Sequence, residues 1–463
     1  MNDYLLRIKD EFKDNPDLVI KCININPLHK TYVIFLDTLC SQNKINEYIL
    51  KRLTIIKKNF NTEDFIPGAN IVKLDNYDLI EFYLYNGFTI ILKGKKIFAI
   101  ETKADINRSP SSNETEPSLK GPKNAFIENY QTNIGLIKKR VKSHHLKIKN
   151  INIGRLSNNT IGILYIDNIV KEKLVNAVYQ KLQKIDISLI NDSNDLISFI
   201  EAKSIFPTVI STERPDRCAD ALSEGKIVII ADESPNALIL PAFLIDFIHP
   251  YSDKYNKSTN INPTKFIRML CFILSIIIPG FYIAIMCFNQ ETIPTTLIVN
   301  FAMQRSGIPF PAVIECILML SICEILRESD LRFPNKYGSA VSVLGALLIG
   351  EASVSAGLVT PIMIIITAFT YISSLLFTEI EISNAIRTYR FIFLMASAFF
   401  GLYGLMIAFI FFIINLCDIE NFGFSYTFPL SPFDKSYFKD VFFKLKNNLR
   451  SKRLSNNHIK DGS

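Results

Sequence analysis

From Phe391 to Leu416 the chain carries no charged residue. A helix needs roughly 20 consecutive apolar residues to cross a bilayer, and this stretch of about 26 exceeds that. A soluble core of ordinary size does not keep such a run. Three further segments repeat the pattern. About 22 uncharged residues lie between Arg268 and Glu291, Ile308 to Ile325 is apolar apart from Glu315 and Glu324, and Gly338 to Phe377 holds a single charge, Glu351. The second half of the chain therefore reads as membrane helices.

The first half has another character. Val33 to Leu36, Leu79 to Tyr85, Thr89 to Leu92, Ile97 to Ile100, Ile151 to Ile153, Ile161 to Ile166 and Ile227 to Ile230 read as strands, with turns at Asn86-Gly87 and Lys93-Gly94. Ile45 to Lys58, Ala125 to Val141 and Ile169 to Ile185 have helical spacing. Pro and Ser cluster from Asp105 to Asn124, as in a linker. The expected fold is an α/β two-subdomain cytoplasmic N-terminal region plus an α-helical multi-pass transmembrane domain. Its parts are an N-terminal α/β subdomain (1–107), a linker (108–124), a second α/β subdomain (125–265), a transmembrane domain (266–416) and a basic cytoplasmic tail (417–463).

Orientation follows from charge. The N-terminus lacks the apolar stretch of a signal peptide. The tail carries Lys439, Lys444, Lys446, Arg450, Lys452 and Arg453. Both ends are expected on the cytoplasmic side, which requires an even number of crossings. About four are expected, with Arg390 to Leu416 as one span and a re-entrant or broken piece within Gly338 to Phe377. Trp is absent, which leaves Tyr282, Tyr371, Tyr389 and Tyr403 for the membrane interfaces.

Several chemistries lack their residues. The eight cysteines form no CxxC pair and the five histidines no HExxH, so neither a metal site nor a cofactor is expected. No GxxxxGK[ST] or GxSxG motif is present, and no catalytic residue is assigned. His144-His145 reads as a solvated basic face. A net charge of +7 over 463 residues does not call for nucleic acid; the basic tail suits anionic membrane lipid instead.

The intramembrane carboxylates are the candidate site. A buried carboxylate in a bilayer costs about 3 kcal/mol on insertion scales, so each needs water or a cation. Glu315, Glu324, Arg327 and Arg332 form either an ion path or a structural network in which Glu324 pairs with Arg327 or Arg332. Glu351 lies among small residues, and helical spacing puts Leu347, Glu351 and Ser355 on one face beside Gly350. That face suits a pore or cavity, or a polar contact within an oligomer.

These residues sit in a pattern that resembles a known family, the A subunit of bacterial spore germinant receptors (GerA). It runs through Glu116-Pro117, Lys120-Gly121-Pro122-Lys123, Phe126-Ile127-Glu128-Asn129, Thr132-Asn133-Ile134 and Leu136-Ile137-Lys138-Lys139-Arg140. It continues through Ile153-Gly154-Arg155, Tyr165-Ile166, Phe206-Pro207, Thr212-Glu213-Arg214-Pro215-Asp216 and Glu224-Gly225-Lys226. In the apolar half it takes in Ile293-Pro294-Thr295, Ile308-Pro309-Phe310-Pro311, Glu324-Ile325-Leu326-Arg327-Glu328, Arg332-Phe333-Pro334, Leu344-Gly345 and Ile349-Gly350. Lys120, Asp232-Glu233-Ser234-Pro235 and Glu351 depart from the family pattern. The resemblance implies a subunit of the spore inner membrane that works with a transporter-like B subunit and a lipoprotein C subunit. It also implies a homo-oligomer that forms a nutrient-gated cation channel. A secondary transporter, a membrane-anchored signalling subunit without a pore, and a membrane-bound enzyme are the alternatives.

Overall fold

A computed structural model of the chain describes residues 3–12, 15–26, 29–51, 71–74, 76–77, 79–94, 96–104, 121–256, 258–332, 349–377, 379–435 and 437–438. Two antiparallel five-stranded sheets account for the first half. The first contains β1 (Leu18–Asn26), β2 (His29–Leu36), β3 (Ile71–Leu74), β4 (Phe88–Lys93) and β5 (Lys96–Glu101), in the order β1-β2-β4-β5-β3. The second contains β6 (Leu146–Ile153), β7 (Asn159–Ile166), β8 (Ile210–Thr212), β9 (Ile227–Ala231) and β10 (Ala237–Leu240), in the order β6-β7-β9-β10-β8. Every residue of β9 and β10 is buried, as continuous apolar runs in inner strands should be.

Helix α1 (Asp3–Glu11) and α2 (Leu79–Tyr85) cover the first sheet. The Leu79–Tyr85 segment is helical, not the expected strand. Ile80 and Leu84, four apart, both bury against the sheet. The Asn86 side chain bonds the Phe82 carbonyl and Gly87 turns the chain at φ +81°, which closes the helix. Of the helical face expected at Ile45 to Lys58, Ile45 and Ile49 are buried; Leu53 and Ile56 lie outside the described residues. The second sheet carries α3 (Tyr130–Lys138), α4 (Glu172–Gln183), α5 (Pro215–Glu224) and α6 (Leu244–Ile248). Asn129 caps α3 by accepting from Thr132 N, so the helix starts five residues later than its apolar pattern.

The two subdomains meet over a buried ion pair. Lys138 has no exposed side-chain surface, and its Nζ donates to Asp17 Oδ2 (2.6 Å) and Asn15 Oδ1 (3.1 Å). Asp17 also accepts from Thr38 N and Oγ1. Most of the expected linker lies outside the described residues.

The apolar half contains α7 (Ser258–Cys287), α8 (Thr295–Arg305), α9 (Ala312–Arg332), α10 (Pro361–Ser374) and α11 (Ile380–Asp418). Among the described residues, α7 and α11 are long and apolar enough to cross a membrane. Helix α11 is not the expected single span. In a straight helix, Tyr389 and Phe412 would stand about 35 Å apart; their ring centroids are 4.8 Å apart. The chain reverses at Gly401, whose φ of 60° and ψ of −142° suit only glycine. A Cβ there would lie 2.8 Å from Phe288 Cβ. Gly404 packs so tightly on Ala396 across the turn that a Cβ would meet the Ala396 carbonyl. The outbound arm (380–400) and return arm (402–418) therefore form a hairpin with both roots at the second α/β subdomain. Helix α7 begins at that same end and reaches the hairpin tip at Phe288. Tyr282 and Tyr389, expected at the interfaces, are buried, while Tyr403 is exposed.

The expected tail begins as a docked segment. Strands β11 (Glu420–Asn421) and β12 (Phe424–Ser425) pair, and Phe424, Phe428 and Tyr437 join the core formed by β7, β9 and β10. These residues are aromatic; apart from Lys435, the basic ones follow after Phe438, outside the described residues.

Candidate functional site

Several of the quoted motifs of the second subdomain meet at the entry to α5. Pro215 is its first residue, where a missing N–H costs nothing. The Arg214 guanidinium, 2% exposed, donates to Asp216 from Nε (3.2 Å) and Nη2 (2.7 Å). Tyr255 OH adds a third bond to the same carboxylate at 2.6 Å. Burial alone would raise the Asp216 carboxyl, but the Arg214 and Tyr255 bonds outweigh it and hold it below its ordinary value. Arg214 also lies 5.2 Å from the Tyr251 ring centroid. Gly121, at φ +115°, rests on the Tyr255 ring, where a Cβ would come within 2.8 Å. Pro122 follows it. The Glu213 carbonyl accepts from Phe126 N, and the Glu128 carbonyl from Glu233 N. Buried Asn133 holds Ile127 through both its amide atoms. Glu116 lies outside the described residues.

This cluster stands at the root of the apolar helices. Tyr255 immediately precedes α7, and Arg268 of α7 pairs with Asp253. One turn into α5, Arg217 Nη1 meets Glu379 Oε1 at 3.1 Å, and Glu379 is the N-cap of the outbound arm. Phe206 enters from the loop before β8 and is fully buried. Its ring centroid lies 5.3 Å from Tyr389, 6.1 Å from Phe412, 6.4 Å from Phe272 and 6.1 Å from Tyr426. Nearby, burial and Glu381 raise the Glu201 carboxyl against the bond it accepts from Thr208 N.

The carboxylates of the apolar half find partners other than the expected ones. Glu315, completely buried, sits in the first turn of α9. Its Oε2 accepts from Thr360 N and Oγ1, both at 3.1 Å, and Thr360 is the N-cap of α10. Its Oε1 lies 3.3 Å from Arg305 Nη2. Two helix N-termini and a guanidinium thus stabilise the anion. Glu324 does not pair with Arg327. Its partners are Arg387 (2.9 Å) and Arg390 (3.8 Å) of the outbound arm, because α9 packs along that arm. Arg327 instead donates to Ser383 Oγ (2.8 Å) and Asn384 Oδ1 (3.2 Å). The Arg332 side chain and Leu347 lie outside the described residues. Glu351 and Ser355 are exposed on a helical segment at 349–355, with Gly350 partly exposed beside them.

Arg390 has a role no sequence signal announced. Pro279 interrupts α7 and has no N–H for the Ser275 carbonyl. Arg390 Nε donates to that carbonyl at 2.9 Å. One buried guanidinium thus joins the proline kink of α7, the outbound arm and, through Glu324, α9.

Among the described residues no group of His, Cys, Asp and Glu could hold a metal. His144 and His145 are each engaged with a carboxylate, Glu81 at 2.9 Å and Asp167 at 2.7 Å. What the arrangement can do is mechanical: it fixes one face of an α/β subdomain to the ends of several apolar helices.

The family model described as Bacillus/Clostridium GerA spore germination protein matches residues 6–456. The chain is 35% identical over 450 residues to spore germination protein KA of Bacillus subtilis (strain 168), covering 94% of this chain and 83% of that protein. It is 28% identical to spore germination protein GerLA of Bacillus cereus, covering 100% and 96%. The solved N-terminal domain of the A subunit of the Bacillus megaterium spore germinant receptor GerK3 aligns with a TM-score of 0.41 at 24% identity. That alignment covers 52% of this chain and 95% of that one.

Proposed function

The chain belongs to the Bacillus/Clostridium GerA spore germination protein family, and from that membership we propose that it is the A subunit of a nutrient-germinant receptor. In this reading it lies in the spore inner membrane, with the α/β region and the C-terminal residues facing the spore core. It works with a transporter-like B subunit and a lipoprotein C subunit, and it catalyses nothing. Several copies surround a cation path that nutrient binding opens, with Glu351 and Ser355 facing the path or a neighbouring copy.

The observation that carries the reading is the junction. Gly121 and Asp216 close on Tyr255 at the root of α7, Arg214 holds Asp216, and Arg217 closes on the root of the hairpin. A receptor needs such a place to hand an event in the α/β region to its helices. An exposed carboxylate on an otherwise apolar stretch, at Glu351, suits contact with water or another subunit.

Two strains test the reading. Deletion of the gene should abolish or slow germination on the cognate nutrient, and normal germination would refute the receptor role. Glu351→Ala should change ion release or its selectivity while the complex still assembles. Glu315 and Glu324 are already neutralised by partners within the chain, which favours a signalling subunit without a pore as the second reading. Loss of germination on deletion, with ion release unchanged in Glu351→Ala, would select it.

A further inference from the structure

The second α/β subdomain touches the hairpin at two places that differ in chemistry. One is apolar: Phe206 reaches from the α/β side into a socket made by both arms of α11 and by α7. The other is ionic: Arg217 of α5 holds Glu379. The loop that carries Phe206 is stiff. Thr208 N donates to Glu201, Ala202 N donates to Thr208 Oγ1, and the Thr208 carbonyl accepts from Asn421 Nδ2 just beyond the return arm. Movement of this loop therefore cannot be absorbed before it reaches the helices.

Two tyrosine hydroxyls line the socket. The hydroxyls of Tyr389 and Tyr426, both against Phe206, are buried without a hydrogen-bond partner among the described residues. Buried donors are rarely left so.

We propose that Phe206 and the Arg217–Glu379 pair form the joint through which the second α/β subdomain moves the root of the Gly401 hairpin. Phe206 acts as a positioning residue for both arms at once. The consequence for germination rests on the receptor reading above; the mechanical joint does not.

The test uses full-length chains expressed in a strain that lacks the native gene, with response divided by the amount of chain in the membrane. Phe206→Ala should lower the nutrient response per chain by about tenfold or more, within the range typical of coupling between linked sites, and Phe206→Leu by less. Arg217→Glu and Glu379→Arg should each lower it, and the two together should restore it. The same variants are compared in purified full-length chain, where hydrogen exchange at 380–389 should rise in each single charge variant and return in the double. A wild-type response per chain in Phe206→Ala would overturn the proposal. So would a double variant no better than the singles in exchange. If the wild-type gene fails to restore germination, the receptor reading falls, and the exchange result still decides the joint.

Discussion

At the scale of single residues, the decisive groups answer bonds that the sequence leaves open elsewhere. Arg390 exists for a carbonyl that Pro279 cannot serve. Arg390→Met should cost about 3 kcal/mol in thermal unfolding of the solubilised chain, as removal of a buried charged partner does. In a Pro279→Ala background the same change should cost at least about 1 kcal/mol less, because the restored N–H takes the Ser275 carbonyl. Equal costs in both backgrounds would refute the pairing. Asp216 gives a pH test. Its carboxyl sits lower in the folded chain than the ordinary value near 3.9, so its contribution to stability is present above that value. The contribution is lost as pH falls through the lower folded value. Melting temperatures of the wild type and Asp216→Asn should therefore differ steadily from neutral pH down to about 4 and converge below it. The Arg390 partnership was not legible in the sequence. Arg390 and Ser275 are 115 residues apart, and no local pattern links them.

At the scale of elements, periodicity identified what it can sense. β6, β7 and β9 lie where alternation or a short apolar run put them. Leu79–Tyr85 did not follow, because six apolar and aromatic residues around Glu81 satisfy either period until Ile80 and Leu84 are seen to share a face. The hairpin is the larger lesson. The break was expected within Gly338 to Phe377, while the glycine that reverses the chain lies inside the cleanest apolar run. Hydropathy is blind to backbone dihedrals, so a turn made of apolar residues leaves no mark on it. Gly401→Ala should lower the melting temperature of the solubilised chain through about 1–3 kcal/mol of backbone strain plus the Phe288 clash. Phe288→Ala in that background should return only part of the loss, since it relieves the clash and leaves the dihedral.

At the scale of the whole molecule, three bodies are held by few polar contacts. Lys138 has its ammonium lowered by burial, against the pull of Asp17, and it closes the contact between the two α/β subdomains. Lys138→Met alone should cost about 3–5 kcal/mol because Asp17 is left buried without its cation. Asp17→Asn with Lys138→Met should recover most of it. A double variant as unstable as the single would show that the pair does not hold the subdomains. The apolar half was legible from the placement of charge, and the two-part α/β region from the Pro/Ser-rich stretch between its parts. Sheet order was not, since it depends on pairings across long stretches of chain. The junction at the helix roots was visible only as motifs, because Tyr255, Arg217 and Glu379 become neighbours only in the fold.

The docking of Phe424, Phe428 and Tyr437 into the second subdomain has a further consequence, for the order of assembly. That core receives these rings well over a hundred residues after its last strand has been made. As the chain leaves the ribosome, Phe243 must wait, uncovered on this side, until the hairpin has been laid down and the chain has come back. The late segment thus works as a seal: only a chain whose apolar half has already turned correctly can deliver it to the waiting face. A chain that misplaces the hairpin would keep an open, sticky core on its α/β domain, the kind of surface that quality-control proteases bind.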